Sequence, residues 1–302
     1  MVQEIEVLEV DELSTSIAGL DIEYIRTDQG FGPNRLTVAH SKDIVLSLGQ
    51  MGFSATANTE IPDGTVLFGL ITEAVPGAIW CGTQLEAGHL FILTPGTTFV
   101  GMEPAGLSGT MLTVPVDTLA TMGMQLGIGE PELRHCVEPV FRPEVARLTA
   151  DLWAATARPS SVEHKRVAAQ LLQSAARAMA DVDVRPVGAK RRLDRKRTVS
   201  DCLDFVESSG SSQPSMSELC RAANASESSV RQAFVEVYDM PPTQYFQHRL
   251  LSALRVELLH SDPRDETVTR IASSLGVTHL GRTSGRYRAV FGEVPSETLR
   301  TA

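Results

Sequence analysis

Apolar side chains recur with different periods along this chain, and the changes of period divide it. From Leu36 to about Leu119 they come in short runs rich in Val, Ile, Leu and Thr, as in Arg35 to Ala39, Ile44 to Leu48, Thr65 to Ile71, Ala78 to Gln84, Leu90 to Thr94 and Gly109 to Val114. Pro62-Asp63-Gly64, Pro76-Gly77, Ala87-Gly88 and Pro95-Gly96 punctuate the runs. Short strands at this spacing predict an antiparallel sandwich or barrel. From Pro143 to Ala180 the period becomes helical. Val145, Leu148, Leu152 and Trp153 mark one helix, Pro159-Ser160-Ser161 breaks it, and Val167, Leu171, Leu172, Ala175 and Met179 mark another. Such a hairpin buries its stripe on the barrel or on a second subunit.

The last third of the chain contains one pattern twice. Its first copy reads Leu219, Cys220, Ala223, Asn224, Ser226, Val230, Phe234, Asp239, Pro242; the second reads Ile271, Ala272, Leu275, Gly276, Thr278, Thr283, Tyr287, Gly292, Pro295. In each, a short apolar segment meets a residue suited to positive φ, Asn224 or Gly276. A hydroxyl able to cap a new helix follows, Ser226 or Thr278. This is helix, tight turn, helix; when such a unit binds DNA, its second helix enters the major groove. Between the copies, Thr243 to His260 predicts a helix of roughly 27 Å, somewhat less than the roughly 34 Å between major-groove openings on one face of B-DNA.

These residues resemble the AraC/XylS transcription regulators. In that family the DNA-binding domain has two helix-turn-helix units joined by a long helix. Ile271-Ala272, Gly276-Val277, Tyr287, Phe291, Gly292 and Pro295 match its second unit, and Leu219, Ser226, Phe234, Pro242, Tyr245 and Arg249 match its first. The resemblance implies an α+β protein: an N-terminal cupin-like antiparallel β-barrel with a helical hairpin, then an all-α domain of two helix-turn-helix units. The corresponding divisions are a sensor barrel over 1–142, a dimerisation hairpin over 143–182, a basic linker over 183–198 and the DNA-binding domain over 199–302. It also implies double-stranded DNA, RNA polymerase and a second copy of the chain as partners, with a small-molecule effector at the barrel.

The chain departs from the family in one place. Thr283 stands where a large apolar residue is usual, and Gly285 where an Arg is usual. Thr283 predicts a packing loss of about 1 to 3 kcal/mol, and Gly281 and Gly285 each cost about 1 kcal/mol relative to Ala inside a helix. Ser228, Ser229, Arg231 and Gln232 occupy the exposed start of the first recognition helix. Arg pairs with guanine and Gln with adenine through two hydrogen bonds, which makes Arg231 and Gln232 the leading base-reading candidates. Contact with phosphate alone is the competing role. In the second unit, His279, Arg282 and Arg286 take that place.

Charge sharpens the division. The net charge of the 302 residues is −10, yet the part from Arg185 onward holds 17 Lys/Arg against 14 Asp/Glu, and the part before it 10 against 23. Nucleic-acid contact therefore belongs to the C-terminal part. The run Lys190-Arg191-Arg192 and Arg195-Lys196-Arg197 is either a solvated stretch or a source of sequence-independent affinity through counterion release. Val199 to Glu207 predicts the first helix of the DNA-binding domain.

Candidate chemistry in the barrel is sparse. His40 and His89 stand apart, with no His-x-His pair, so no metal or cofactor is expected. Phe53, Phe68, Trp80, Phe91 and Phe99 either line a ligand pocket or fill the core. No apolar run suggests a signal peptide or membrane span, and Cys81, Cys136, Cys202 and Cys220 lack paired or metal-ligand spacing. The expectation is a reduced bacterial cytoplasmic protein at the nucleoid, and no enzyme. A regulator controlled by a protein partner, or a cupin-type enzyme or carrier with a C-terminal interaction module, are the alternatives.

Overall fold

The computed structural model of the chain describes residues 2–7, 20–41, 44–125, 136–141, 189–210 and 213–301, with scattered positions between 147 and 177. The described strands are β1 (Val2–Val7), β2 (Glu23–Arg26), β3 (Asn34–Ser41), β4 (Ile44–Gln50), β5 (Ala55–Glu60), β6 (Thr65–Glu73), β7 (Ile79–Trp80), β8 (Thr83–Gln84), β9 (His89–Leu93), β10 (Thr98–Glu103), β11 (Ser108–Pro115) and β12 (Cys136–Phe141). They form a seven-stranded sheet, β1-β3-β4-β11-β6-β9-β12, and a five-stranded one, β2-β5-β10-β7-β8. Every described pairing is antiparallel. The α+β division is as the sequence implies. The strands make two sheets around a shared core, however, and no closed barrel is found among the described residues.

Side-chain alternation explains how the sheets are used. On the five-stranded sheet, Tyr24, Ala55, Ala57, Trp80 and Phe99 point into the sandwich, where they meet Leu36, Leu67 and Ile71 of the seven-stranded sheet. The intervening residues Ile25, Val100 and Met102 point out and join a different apolar cluster, with the C-terminal helices. This sheet is thus buried on both faces. The stretch Ala78 to Gln84 is not one strand but a small hairpin, because Cys81 and Gly82 between β7 and β8 both have positive φ (53° and 76°).

Helix α1 (Val116–Gln125) follows β11, and α2 spans Ala189–Ser209. The sequence suggested a linker up to Thr198; from Ala189 the chain is instead helical and continuous with the helix expected over Val199 to Glu207. After Gly188 the run contains only good or tolerable helix formers, with Pro186 left behind. The hairpin expected over 143–182 lies largely outside the described residues, and the positions described between 147 and 177 are helical. Residues 183–188, the start of the expected linker, also lie outside them.

The remaining helices are α3 (Met216–Ala222), α4 (Glu227–Tyr238), α5 (Pro242–Leu259), α6 (Val268–Ser274), α7 (Leu280–Phe291) and α8 (Pro295–Thr301). Among the described residues, no helix is long and apolar enough to cross a membrane.

Candidate nucleic-acid interface

The first helix-turn-helix unit is α3 and α4. Ser215 and Glu218 form a reciprocal capping box at the start of α3: the Ser215 amide donates to Glu218 Oε2 at 2.8 Å, and the Glu218 amide to Ser215 Oγ at 3.3 Å. The turn passes through Asn224 at φ 46°. Ser226 then caps α4, its Oγ accepting from the Ser229 amide at 3.2 Å. Val230, Ala233, Phe234, Val237 and Tyr238 face inward. Phe234 lies within 6.0 Å, centroid to centroid, of Tyr238, Tyr245 and Phe246, so α5 is clamped against α4 by four aromatic rings.

That packing leaves Ser228, Arg231 and Gln232 exposed, with Ser229 half-buried. The free protein holds these side chains in local bonds. Arg231 donates through Nε and Nη2 to Glu227 Oε1 at 2.9 and 2.7 Å. Gln232 accepts from Arg195 Nη2 at 2.8 Å and donates to Glu236 Oε1 at 2.7 Å. Exposed i,i+4 pairs contribute about 0.3–0.5 kcal/mol, whereas a bidentate base contact contributes about 1–3 kcal/mol of discrimination.

Sequence reading did not single out Arg195. Its Nη1 also donates to the Ser229 carbonyl at 3.2 Å, and its Nε lies 3.5 Å from Glu236 Oε2, so α2 is tied to the recognition helix. The basic run is thereby divided. Lys196 donates to the Thr98 carbonyl on β10 at 3.2 Å, and Arg197 stays exposed near Asp201. The side chains of Lys190, Arg191 and Arg192 lie outside the described residues. The signal for Arg195 was its basic neighbourhood, but its partner depends on how α2 crosses α4.

The second unit is α6 and α7. Gly276 takes the turn at φ 79°, and α7 begins one residue later than expected, with His279 rather than Thr278 at the N-cap and no side-chain capping bond. Thr283 donates through its amide and Oγ1 to the His279 carbonyl at 3.1 and 3.2 Å. Tyr287, Val290 and Phe291 pack with Leu251, Leu254, Leu258 and Ile271. His279, Arg282 and Arg286 are exposed. Thr283 stays out of that apolar cluster and instead borders a crevice of about 760 Å³ with Arg286, His248, Leu250 and Pro214. Burial in this crevice lowers the His248 pKa, against an opposing influence from Asp28.

Both units hang on α5, whose 18 residues extend about 27 Å. Tyr245, Phe246 and Leu250 serve the first unit and the crevice, while Leu251, Leu254 and Leu258 serve the second. Arg255 on α5 binds the second unit through Glu293 at 2.8 Å, Tyr287 at 3.2 Å and Thr298 at 3.4 Å.

Of the N-terminal aromatics, Phe53, Trp80, Phe91 and Phe99 share the sandwich core, Trp80 meeting Phe91 and Phe99 edge-on at 5.2 and 5.1 Å. Phe68 is buried but does not join that core; it alternates to the other face of β6 from Leu67, Gly69 and Ile71.

The C-terminal part thus carries two helix-turn-helix units on one connecting helix, and residues 219–301 match the family profile described as a helix-turn-helix domain. Among known proteins, the chain is similar to the probable thc operon regulatory protein of Rhodococcus erythropolis, 31% identical over 99 residues covering 33% of this chain and 30% of the relative. It is also similar to the XylDLEGF operon transcriptional activator of Pseudomonas putida, 33% identical over 98 residues covering 32% and 30%. The chain thus matches about a third of the length of these relatives. Its backbone is also similar to that of the AraC-like transcriptional activator CuxR, at 15% identity and a TM-score of 0.43, covering 92% of this chain and 100% of CuxR.

Proposed function

We propose that this chain is a sequence-specific DNA-binding transcription regulator whose N-terminal sandwich takes a small-molecule effector. The observation that carries the reading is the pair of helix-turn-helix units mounted on α5, each with basic or amide side chains exposed on its second helix. In this reading Ser228, Ser229, Arg231 and Gln232 contact one major-groove segment and His279, Arg282 and Arg286 the next. Two copies of the chain pair through the 143–182 region, and the bound complex works with RNA polymerase. The packing of Ile25, Val100 and Met102 against the first unit supports a direct mechanical link between sandwich and DNA-binding helices. An effector acts only insofar as it binds the DNA-competent arrangement with different affinity from the other.

The test is binding of the full chain to genomic fragments, including its own upstream region, across a salt series. A regulator selects a site and keeps that preference as salt weakens all binding. Equal affinity for every fragment at all salt concentrations would overturn the reading.

A further inference from the structure

The inner face of the seven-stranded sheet lacks two adjacent side chains. Gly49 on β4 and Gly109 on β11 are register partners, flanked by Leu36 on β3 and Ile71 on β6. A Cβ added to Gly49 would meet no atom within 4 Å. The resulting cavity, of about 50 Å³, is roofed by Tyr24, Trp80 and Glu103 of the facing sheet, with Asn34 and Arg35 also on its wall.

Two polar groups at this cavity are incompletely matched. Glu103 is only 6% exposed. Its Oε1 accepts from Trp80 Nε1 at 3.0 Å, and the Tyr24 hydroxyl also hydrogen-bonds to its carboxyl. Among the described residues no cation pairs with it: Arg35, at the edge of the cavity, is itself exposed and pairs with Glu6 at 3.4 Å. Asn34 is 1% exposed. Its Oδ1 accepts from the amides of Gly52 and Phe53 at 2.7 and 3.2 Å, while its Nδ2 is buried without a partner. A buried carboxylate without a cation and a buried donor without an acceptor are both costly. Both line one void.

Trp80 is held where it is needed. A Cβ on Gly101 would lie 2.9 Å from its indole and one on Gly69 2.6 Å, so only glycine at both positions lets the ring reach across the sandwich. Desolvation raises the Glu103 pKa to about 7, against the lowering influence of the Trp80 and Tyr24 hydrogen bonds. The two hydrogen bonds therefore compensate the ionised form only in part.

We infer that this cavity is an effector site for a small primary ammonium that also carries a hydrogen-bond acceptor, with the ammonium on Glu103 and the acceptor on Asn34 Nδ2. The inference rests on the reading of the sandwich as the sensor. A longer ligand places only this end in the cavity. Glu103 belongs to β10, whose outward-facing residues Val100 and Met102 touch the first helix-turn-helix unit, so occupancy is felt one residue from the DNA-binding domain.

The test is thermal unfolding of the full chain at neutral pH, without DNA, titrated with four probes. Glycinamide supplies charge and acceptor, ethylammonium the charge, acetamide the acceptor, and acetate the wrong charge. The expected result is a saturable rise in Tm with glycinamide, a smaller one with ethylammonium, and none with acetamide or acetate. Glu103→Gln weakens glycinamide binding by about tenfold or more, equivalent to about 1.4 kcal/mol. Gly49→Val fills the void without touching either polar group and abolishes the shift, which keeps the test decisive if Glu103→Gln folds poorly. The inference is overturned if neither ammonium gives a saturable shift, if acetamide matches glycinamide, if Glu103→Gln binds glycinamide as tightly as the wild type, or if the shift survives in Gly49→Val. Because DNA selection is measured without any amine, that failure is distinguishable from failure of the regulator reading.

Discussion

The two helix-turn-helix units share a plan and differ in how each is supported. The first makes its turn at Asn224 and ends α4 at Asp239, both non-glycine residues at positive φ (46° and 54°); the second uses Gly276 and Gly292 at the matching places (79° and 80°). The first recognition helix is capped by Ser226, packs Val230 inward and rests on the sheet through Ile25, Val100 and Met102. The second begins at an uncapped His279, has Thr283 in place of Val230 and meets the sandwich through fewer groups, with Arg26 5.7 Å from the Phe291 ring and Gln29 beside Gly292. A unit packed on two sides tolerates backbone conformations that cost other residues more than glycine. The less supported unit relies on glycine and on the polar cluster around Arg255.

The largest expected effect is at the better supported unit. Phe234→Ala removes a fully buried ring that meets three others and should destabilise the protein by about 3–5 kcal/mol in urea unfolding. A loss below about 1 kcal/mol would mean that the aromatic cluster does not clamp α4 to α5.

Next comes the strand that carries Val100 and Met102 to that unit. Burial raises the Glu103 pKa from 4.5 to about 7. The folded state therefore holds a proton that the unfolded state releases at lower pH, so this contribution to stability is fully present below pH 4.5 and is lost as pH rises through about 7. The loss is about 3 kcal/mol. Unfolding of wild type and Glu103→Gln at pH 5 and pH 8 should show that decline only in the wild type; parallel profiles would rule it out.

The second unit should respond in the opposite direction. Thr283→Leu extends an apolar side chain toward the crevice beside Leu250 and should stabilise by about 1–2 kcal/mol, a change that calorimetry would register as a higher Tm. Gly281 and Gly285 have open space where a Cβ would stand and do not have positive φ. Each change to Ala should add about 0.5–1 kcal/mol. If these three substitutions left stability unchanged, the second unit would not be the weaker one.

Much of the C-terminal part was legible because its helices carry one apolar face each and its turns need particular residues. The repeat placed Asn224, Gly276, Phe234 and Tyr287 correctly, but the cap of α7 moved from Thr278 to His279, since a hydroxyl next to a helix start signals a cap only to within a residue or so. Several strands were illegible for a plain reason. Ala55 to Glu60 reads Ala-Thr-Ala-Asn-Thr-Glu, and Thr98 to Glu103 includes Gly101 and Glu103, so neither has the expected apolar run. Gly101 makes room for Trp80. The cavity at Glu103 was invisible in one dimension because it depends on register: Gly49 opposite Gly109, and both opposite a carboxylate 54 and 6 residues away, respectively. Among the candidate ligand residues, Trp80 was placed at that cavity, while Phe68 fell on the far face of its strand.

The central claim is that both units read DNA and that the better supported one sets the sequence preference. The most direct measurement compares wild type with Arg231→Ala plus Gln232→Ala, and with Arg282→Ala plus Arg286→Ala, on a selected site and on scrambled versions of each half. The first pair should lose discrimination at its own half by about 1–3 kcal/mol per base contact, and the second should lose affinity with a smaller loss of discrimination at the other half. If the first pair weakened binding to every sequence equally, its side chains would touch only phosphate, and the claim would fail.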